Sequence, residues 1–172
     1  WINLLEKTIL KYRQDIQEAL YNDFRKHAAE VDLTEIYPVI NELKLVKKKL
    51  KKWLRPQKVS TPVTMWGSSS HIRYEPKGTA LIIAPWNFPV QLLLSPLITA
   101  IAGGNTVMLK PSENTPHASA LLQQMISEIY DEKEVALVEG GVEVSKALLD
   151  LPFNHIFFTG APAIGKKVME AA

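Results

Sequence analysis

The 172 residues contain no cysteine, which excludes disulfides, thiolate-ligated metals and a cysteine nucleophile within them. A long unbroken apolar run is missing too. The most apolar stretch, residues 88–102, is interrupted by Gln91, Ser95 and Pro96 and falls short of the roughly 18–20 residues that a membrane span needs. Charge of one sign is scarce: 20 basic and 18 acidic residues leave a net +2, which argues against a general polyanion binder. His27, His71, His117 and His155 show no ligand spacing, so no metal site is expected. No signal peptide is visible. What is present, 47% hydrophobic and 22% charged, suits an ordinary globular protein of one domain, or one domain with an appendage.

Three segments follow one another. Residues 1–58 read as helical and charged, with Leu5, Ile9, Tyr12, Ile16, Leu20 and Phe24 on one face of a first helix. A second helix is expected from Asp32 or Thr34, where Asp32 with Glu35 resembles a capping box. It carries Ile36, Val39, Leu43, Val46, Leu50 and Trp53 on one face, stops at Pro56, and is expected to distort near Pro38. Residues 59–78 change character, with β-prone residues broken by Pro62, Gly67 and three serines. Two short strands are expected, about 59–66 and 70–76, with no obvious partner nearby in sequence. From residue 79 the rhythm is regular. Apolar runs at 79–84, 105–110, 134–139 and 155–160 alternate with helical stretches at 90–102, 116–129, 142–149 and 162–172. Continuous apolarity suits strands covered on both faces, hence an α/β fold with a doubly wound parallel sheet, incomplete after its fourth unit. Thr115 followed by Pro116 reads as a helix cap. Both ends of the chain read as cut, because each lies inside a helical pattern.

The most conspicuous charge feature is "KLVKKKLKKWLR", residues 44–55. It could serve as a nuclear signal, a nucleic-acid patch or a membrane-surface helix. The simpler reading is a solvated helix face. Leu43, Val46, Leu50 and Trp53 form a stripe that must bury somewhere, and no aromatic-rich platform accompanies the charges. Neither nucleic acid nor a membrane is therefore expected as a partner.

Ligands of open α/β sheets sit at the carboxyl ends of the strands. Three features fall there: "PWNFP" (85–89), "KPSE" (110–113), and "FTGAPAIG" (158–165), a Gly turn leading into a helix. Taken singly, Asn87 is a turn former, Lys110 a surface charge and the Gly turn a tight loop. Together they describe a nucleotide site. Backbone N–H groups near Gly160–Gly165 could receive a pyrophosphate, and Lys110 and Glu113 could reach ribose hydroxyls.

With "IIAPWNFP", "GNTVMLKPSENTP" and "FFTGAPAIGKKVM" in this order, the chain resembles the aldehyde dehydrogenase superfamily, nearest its class 3 branch. The likeness spans essentially the whole chain and does not rest on a G-x-G-x-x-G fingerprint, which is missing after the first strand. It implies an NAD-dependent (or NADP-dependent) oxidation of an aldehyde to a carboxylic acid through a cysteine thiohemiacetal and thioester. It also implies that Asn87 is catalytic, its side-chain N–H meeting the oxygen that becomes anionic; losing such a donor costs ~10²–10³ in rate. The family's cofactor contacts carry over onto Ile83, Ala84, Pro85 and Trp86, then Lys110, Ser112 and Glu113, then Phe158, Thr159, Gly160, Ala161 and Gly165. Gly141 belongs to a Gly-Gly pair resembling the class 3 form of that loop; its alternative is a helix-entry turn. Ala161 is a departure, since the family usually has serine there, and Pro162 has no N–H. A looser hold on the pyrophosphate is expected.

The resemblance further implies a cytoplasmic homodimer whose 59–78 arm pairs with strands from the far C-terminus. It divides the chain into helices packing on the cofactor domain (1–58), the β arm (59–78) and the first part of the NAD(P)-binding domain (79–172). The catalytic cysteine and the general-base glutamate have no counterpart here, so these 172 residues alone are expected to be inactive. The competing reading is a stand-alone, non-catalytic nucleotide-binding or interaction module.

Overall fold

The computed structural model describes residues 1–171. The first helical face is real but interrupted. Helices α1 (Ile2–Lys11) and α2 (Arg13–Phe24) meet at Tyr12 (φ −90°, ψ 12°), and the buried stripe of Leu5, Ile9, Tyr12, Ile16 and Leu20 runs across the break. Arg25, with φ 62°, ends α2 in the left-handed conformation.

The capping box expected at Asp32 and Glu35 does not form. The helical path already begins at α3 (Ala28–Val31), where the Ala29 N–H donates to His27 Nδ1 at 3.2 Å. It passes through a π-helical turn (Asp32–Ile36) into α4 (Tyr37–Trp53). Pro38 has no N–H for the Thr34 carbonyl, and the backbone ahead of it widens so that Tyr37 N–H reaches the Asp32 carbonyl. Asp32 instead receives two bonds from Arg13, and Glu35 turns inward. On α4, Val39, Leu43 and Val46 are buried but Trp53 is 44% exposed, so the stripe is core for only part of its length.

The arm also differs from expectation. Its strands, β1 (Gln57–Val59) and β2 (Ser70–Ile72), are shorter and pair antiparallel with each other, Lys58 opposite His71. Pro62 breaks the expected longer strand, and a 3₁₀ turn (Val63–Met65) takes its place.

The regular rhythm then becomes β3 (Thr79–Ile83), α5 (Gln91–Ala102), β4 (Thr106–Lys110), α6 (Pro116–Ile129), β5 (Val135–Leu137), α7 (Val142–Leu149), β6 (His155–Phe158) and α8 (Pro162–Ala171). The sheet order is β5-β4-β3-β6 and every pairing is parallel. The path steps outward from β3 through β4 to β5, then returns to the other side of β3. The strand order therefore reverses between β3 and β6, the position where such sheets open a ligand crevice.

The core lies between this sheet and α5 and α6, with Ile82, Leu93, Leu97, Leu109, Leu122 and Ile126 in one cluster. Helices α1, α2 and α4 pack over α5 and α6 as an outer layer. One contact between the layers replaces the expected Thr115 cap. Thr115 makes no side-chain cap; its hydroxyl donates to the Ser112 carbonyl. The cap of α6 comes from Asp23 on α2, which accepts from His117 N–H (3.0 Å) and Ala118 N–H (2.9 Å).

Candidate functional site

A cleft of about 710 Å³ opens at the carboxyl ends of β3, β4 and β6. That volume lies within the range of small-molecule and cofactor sites. Ile83, Ala84, Pro85 and Trp86 line it from the end of β3, Lys110 and Glu113 from the end of β4, and Phe158, Thr159, Gly160 and Ala161 from the end of β6. Three further cofactor candidates from the sequence stand outside this lining. Ser112 is buried, and its hydroxyl accepts from Asn114 N–H while its carbonyl accepts from Thr115 N–H and the Ser119 hydroxyl. Gly141 is the N-cap residue of α7. Gly165 lies one turn into α8.

The glycines of the 158–165 turn have a packing reason. The Phe158 ring packs against them: a Cβ on Gly160 would sit 2.5 Å from Phe158 Cζ, and one on Gly165 would sit 3.3 Å from Cε1. Close approach of a ring, and not only of a phosphate, calls for glycine here.

Lys110 is the unusual side chain of the cleft. Only 2% of it is exposed, yet it carries a charge at the sheet's ligand edge. Its ammonium donates to the Pro111 carbonyl at 2.6 Å and stands 3.6 Å from Glu113 Oε2. Burial pushes its pKa below the ordinary 10.5, with Glu113 and Glu139 acting in the opposite direction. A half-exposed carboxylate beside a buried ammonium presents both an acceptor and a donor to a ligand hydroxyl pair. Lys146 and Lys167 also face the cleft, giving it three lysines against Glu113 and Asp150, a balance suited to an anion.

The walls were not foreseen. Helix α7 contributes Val142, Ser145, Lys146 and Leu149, and α8 contributes Ile164, Lys167, Val168 and Ala171. Both sets follow the i, i+3, i+4, i+7 spacing of one helix face. That periodicity is visible in the sequence, but it reads as ordinary packing until the helices are placed on either side of a crevice.

Asn87 sits in the exposed turn between β3 and α5, beside the cleft and outside its lining. Among the described residues its side-chain amide makes no hydrogen bond. The turn's frame does not come only from the flanking prolines, as the sequence suggests. It comes largely from the N-terminal helices. Phe24 meets Trp86 edge-on, ring centres 6.0 Å apart. The Lys26 ammonium lies 4.1 Å from the Phe88 ring centre and 3.4 Å from the Asn87 carbonyl oxygen. Lys26 also donates to Glu35 Oε1 at 2.6 Å, while Glu35 Oε2 accepts from Val90 N–H (3.1 Å) and Gln91 N–H (2.9 Å). Both side chains of this pair are buried. Burial pushes the Glu35 carboxyl above its usual 4.5, opposed by Lys26 and the two amides.

Comparison with known proteins agrees with this architecture. Residues 2–172 match the model of the aldehyde dehydrogenase family. The 4,4'-diaponeurosporen-aldehyde dehydrogenase of Staphylococcus aureus is 44% identical over 98% of this chain and 37% of its own length. Aldehyde dehydrogenase family 3 member B2 of Mus musculus is 42% identical over 98% of this chain and 35% of its own. The solved substrate-bound state of Staphylococcus aureus AldH superposes with a TM-score of 0.96 at 43% identity, over 99% of this chain and 37% of that one. An aldehyde dehydrogenase of Mycobacterium tuberculosis complexed with NAD+ shares the fold, with a TM-score of 0.85 at 22% identity over 99% and 35%. The chain thus spans a little over a third of the length of these relatives.

Proposed function

The chain belongs to the aldehyde dehydrogenase family, and from that premise we propose that it forms the first part of the cofactor domain of an NAD(P)-dependent enzyme that oxidises an aldehyde to a carboxylic acid. The observation that carries this reading is the pairing of a switch-point cleft with a buried lysine at its edge and an unbonded asparagine in the adjoining turn. The cleft residues fit a dinucleotide. Lys110 and Glu113 would hold ribose hydroxyls as donor and acceptor. The apolar residues of α7 and α8 would take a flat base between them. Backbone amides at the start of α8 would face the pyrophosphate, with Ala161 and Pro162 leaving fewer donors than a serine-bearing turn has. When bound, the nicotinamide accepts the hydride that leaves the aldehyde carbon.

Asn87 does its work at the substrate. As a carbonyl carbon becomes tetrahedral its oxygen gains negative charge, and a donor already in place lowers that barrier without reorganising. An amide suits the position because it donates an N–H and does not titrate. With no cysteine in these 172 residues, the thiolate nucleophile and the base for thioester hydrolysis come, in this reading, from sequence outside them. The β1–β2 arm, whose Trp66 is 95% exposed, is the proposed surface for a second subunit and the far C-terminal strands.

Two measurements test this together: dinucleotide binding by calorimetric titration, and aldehyde-dependent NAD(P)H formation by the full-length protein. Binding with turnover is expected, preserved in the first assay and lost in the second when the 172 residues are used alone. Binding without turnover in the full-length protein would leave a nucleotide module and remove the catalytic assignment. Neither binding nor turnover would refute the whole reading.

A further inference from the structure

We propose that the buried Lys26–Glu35 pair is a positioning device for Asn87, built to keep that asparagine's side chain from folding back onto the backbone of its own turn; this rests on the reading of Asn87 as an oxyanion donor. Helix α5 starts at Gln91 with Val90 at its N-cap, so Asn87 lies in the turn ahead of the cap; an asparagine in a turn readily bends its oxygen back to accept from a backbone N–H two or three residues on. For Asn87 those residues are Pro89, which has no N–H, and Val90. The Val90 N–H is already taken, by Glu35 at 3.1 Å, and the Gln91 N–H goes to the same oxygen at 2.9 Å. Glu35 therefore satisfies two of the orphan donors at the start of α5, from 55 and 56 residues away in sequence. The amide of Asn87 is released from the local task and stays available.

Lys26 completes the arrangement. It neutralises Glu35 at 2.6 Å, reaches the Asn87 carbonyl at 3.4 Å and lies over the Phe88 ring. The backbone on both sides of the asparagine is thus tied to the link between α2 and α3, which holds Lys26, and to the π-helical turn, which holds Glu35. A buried ion pair is a poor source of stability, because desolvating two charges offsets most of their attraction, and its best-attested use is to specify an arrangement. An apolar pair of similar size would fill the space, but it would return Val90 N–H to Asn87.

The test is a mutant cycle in the full-length protein, using Asn87→Ala, the charge-free K26M/E35L, and the three changes combined. K26M/E35L is expected to lower kcat by ~10–10²-fold, the scale of a misplaced catalytic group. Dinucleotide affinity, read by titration, and aldehyde KM are expected to stay within about twofold, because the loss falls on the transition state. Once Asn87 is alanine, adding K26M/E35L is expected to cost nothing further. Two results overturn the proposal: unchanged kcat in K26M/E35L, or losses that multiply in the combined variant. Should K26M/E35L fail to fold, Glu35→Gln, which keeps one oxygen for the α5 amides, carries the same cycle with a smaller first step. A normal kcat in Asn87→Ala defeats the oxyanion reading and this proposal with it, whereas a slow Asn87→Ala with multiplying losses defeats the positioning role alone.

Discussion

Gly140 and Gly141 are adjacent, chemically identical and expected to respond in opposite ways to one added methyl group. Gly140 has φ +142°, a conformation that side chains rarely adopt, and its Cβ would land on the Val144 side chain, 3.0 Å from that residue's own Cβ. Val144 is β-branched and sits in the first turn of α7, so it has no free rotamer to yield. The strained backbone costs ~1–3 kcal/mol and the overlap another ~1–3 kcal/mol. Gly140→Ala should therefore lose about 2–6 kcal/mol if the two terms add. Gly141 has φ −85°, and nothing lies within 4 Å of its added Cβ. Alanine is a weaker N-cap than glycine, but it gains about 0.4–1 kcal/mol by restricting the unfolded chain. Gly141→Ala should stay within about 1 kcal/mol of the parent. Urea unfolding reads both, as a shift in midpoint at constant slope. Equal shifts in the two variants would refute the reasoning, as would a Gly140→Ala midpoint that does not move. Because α7 carries Val142, Ser145 and Lys146 into the cleft, Gly140→Ala should also weaken dinucleotide binding, and Gly141→Ala should not.

Lys110→Met should weaken dinucleotide affinity by roughly 10–100-fold, the worth of a charge-assisted hydrogen bond; unchanged affinity in a calorimetric titration would remove Lys110 from the site. Ala161→Ser restores a hydroxyl beside the proposed pyrophosphate and should tighten binding by about 2–10-fold, one ordinary hydrogen bond; no gain would place the pyrophosphate elsewhere. Asp23→Ala leaves two α6 amides uncapped and should cost ~1–2 kcal/mol in the same urea assay, against nearly nothing if the cap is incidental. Arg13 holds the Asp32 carboxyl below its ordinary 3.8 by direct hydrogen bonds. That contribution to stability is full above 3.8 and is lost as pH falls through the lower folded value. Arg13→Gln should therefore flatten the acid limb of a stability–pH profile, and an unaltered limb would count against the pair.

The sheet domain was legible because its signals are local. "TALII", "TVMLK", "VAL" and "HIFF" are short apolar runs separated by helical periodicity, and each became a parallel strand within two residues of its expected bounds. The cleft was legible for a related reason: residues at strand ends are neighbours in a parallel sheet wherever they lie in sequence, so Ile83, Lys110 and Phe158 converge by topology. What stayed hidden depends on side chains meeting across distance. Asp32 and Glu35 have the spacing of a capping box, but Arg13 and Lys26 outcompete the local backbone for their carboxylates. Thr115 has the identity of a cap, but Asp23 reaches the amides first. The antiparallel pairing of the two arm strands is hidden because ten residues, with Pro62 and a 3₁₀ turn among them, separate β1 from β2. The spacing of Trp53 continues the buried stripe, but at the last residue of α4 its side chain remains partly exposed.

The position of β3 has a consequence for how the chain is made. β3 is synthesised before β4, β5 and β6 and is also an inner strand, with β4 on one edge and β6 on the other. The β4 edge is covered by the next βα unit, but at the other edge Thr79 meets Asn154, 75 residues later. At a synthesis rate of 5–20 residues per second, that edge stands open for roughly 4–15 s on the ribosome. During that interval Ala80, Leu81 and Ile82 present an unpaired backbone to any neighbouring strand. Helices α1 to α4 emerge before β3 and can seat α5 as it appears, which shelters one face of the waiting strand while its edge remains bare. Slowed synthesis across α6 and α7 should accordingly lower the yield of folded protein without altering the stability of the molecules that do fold.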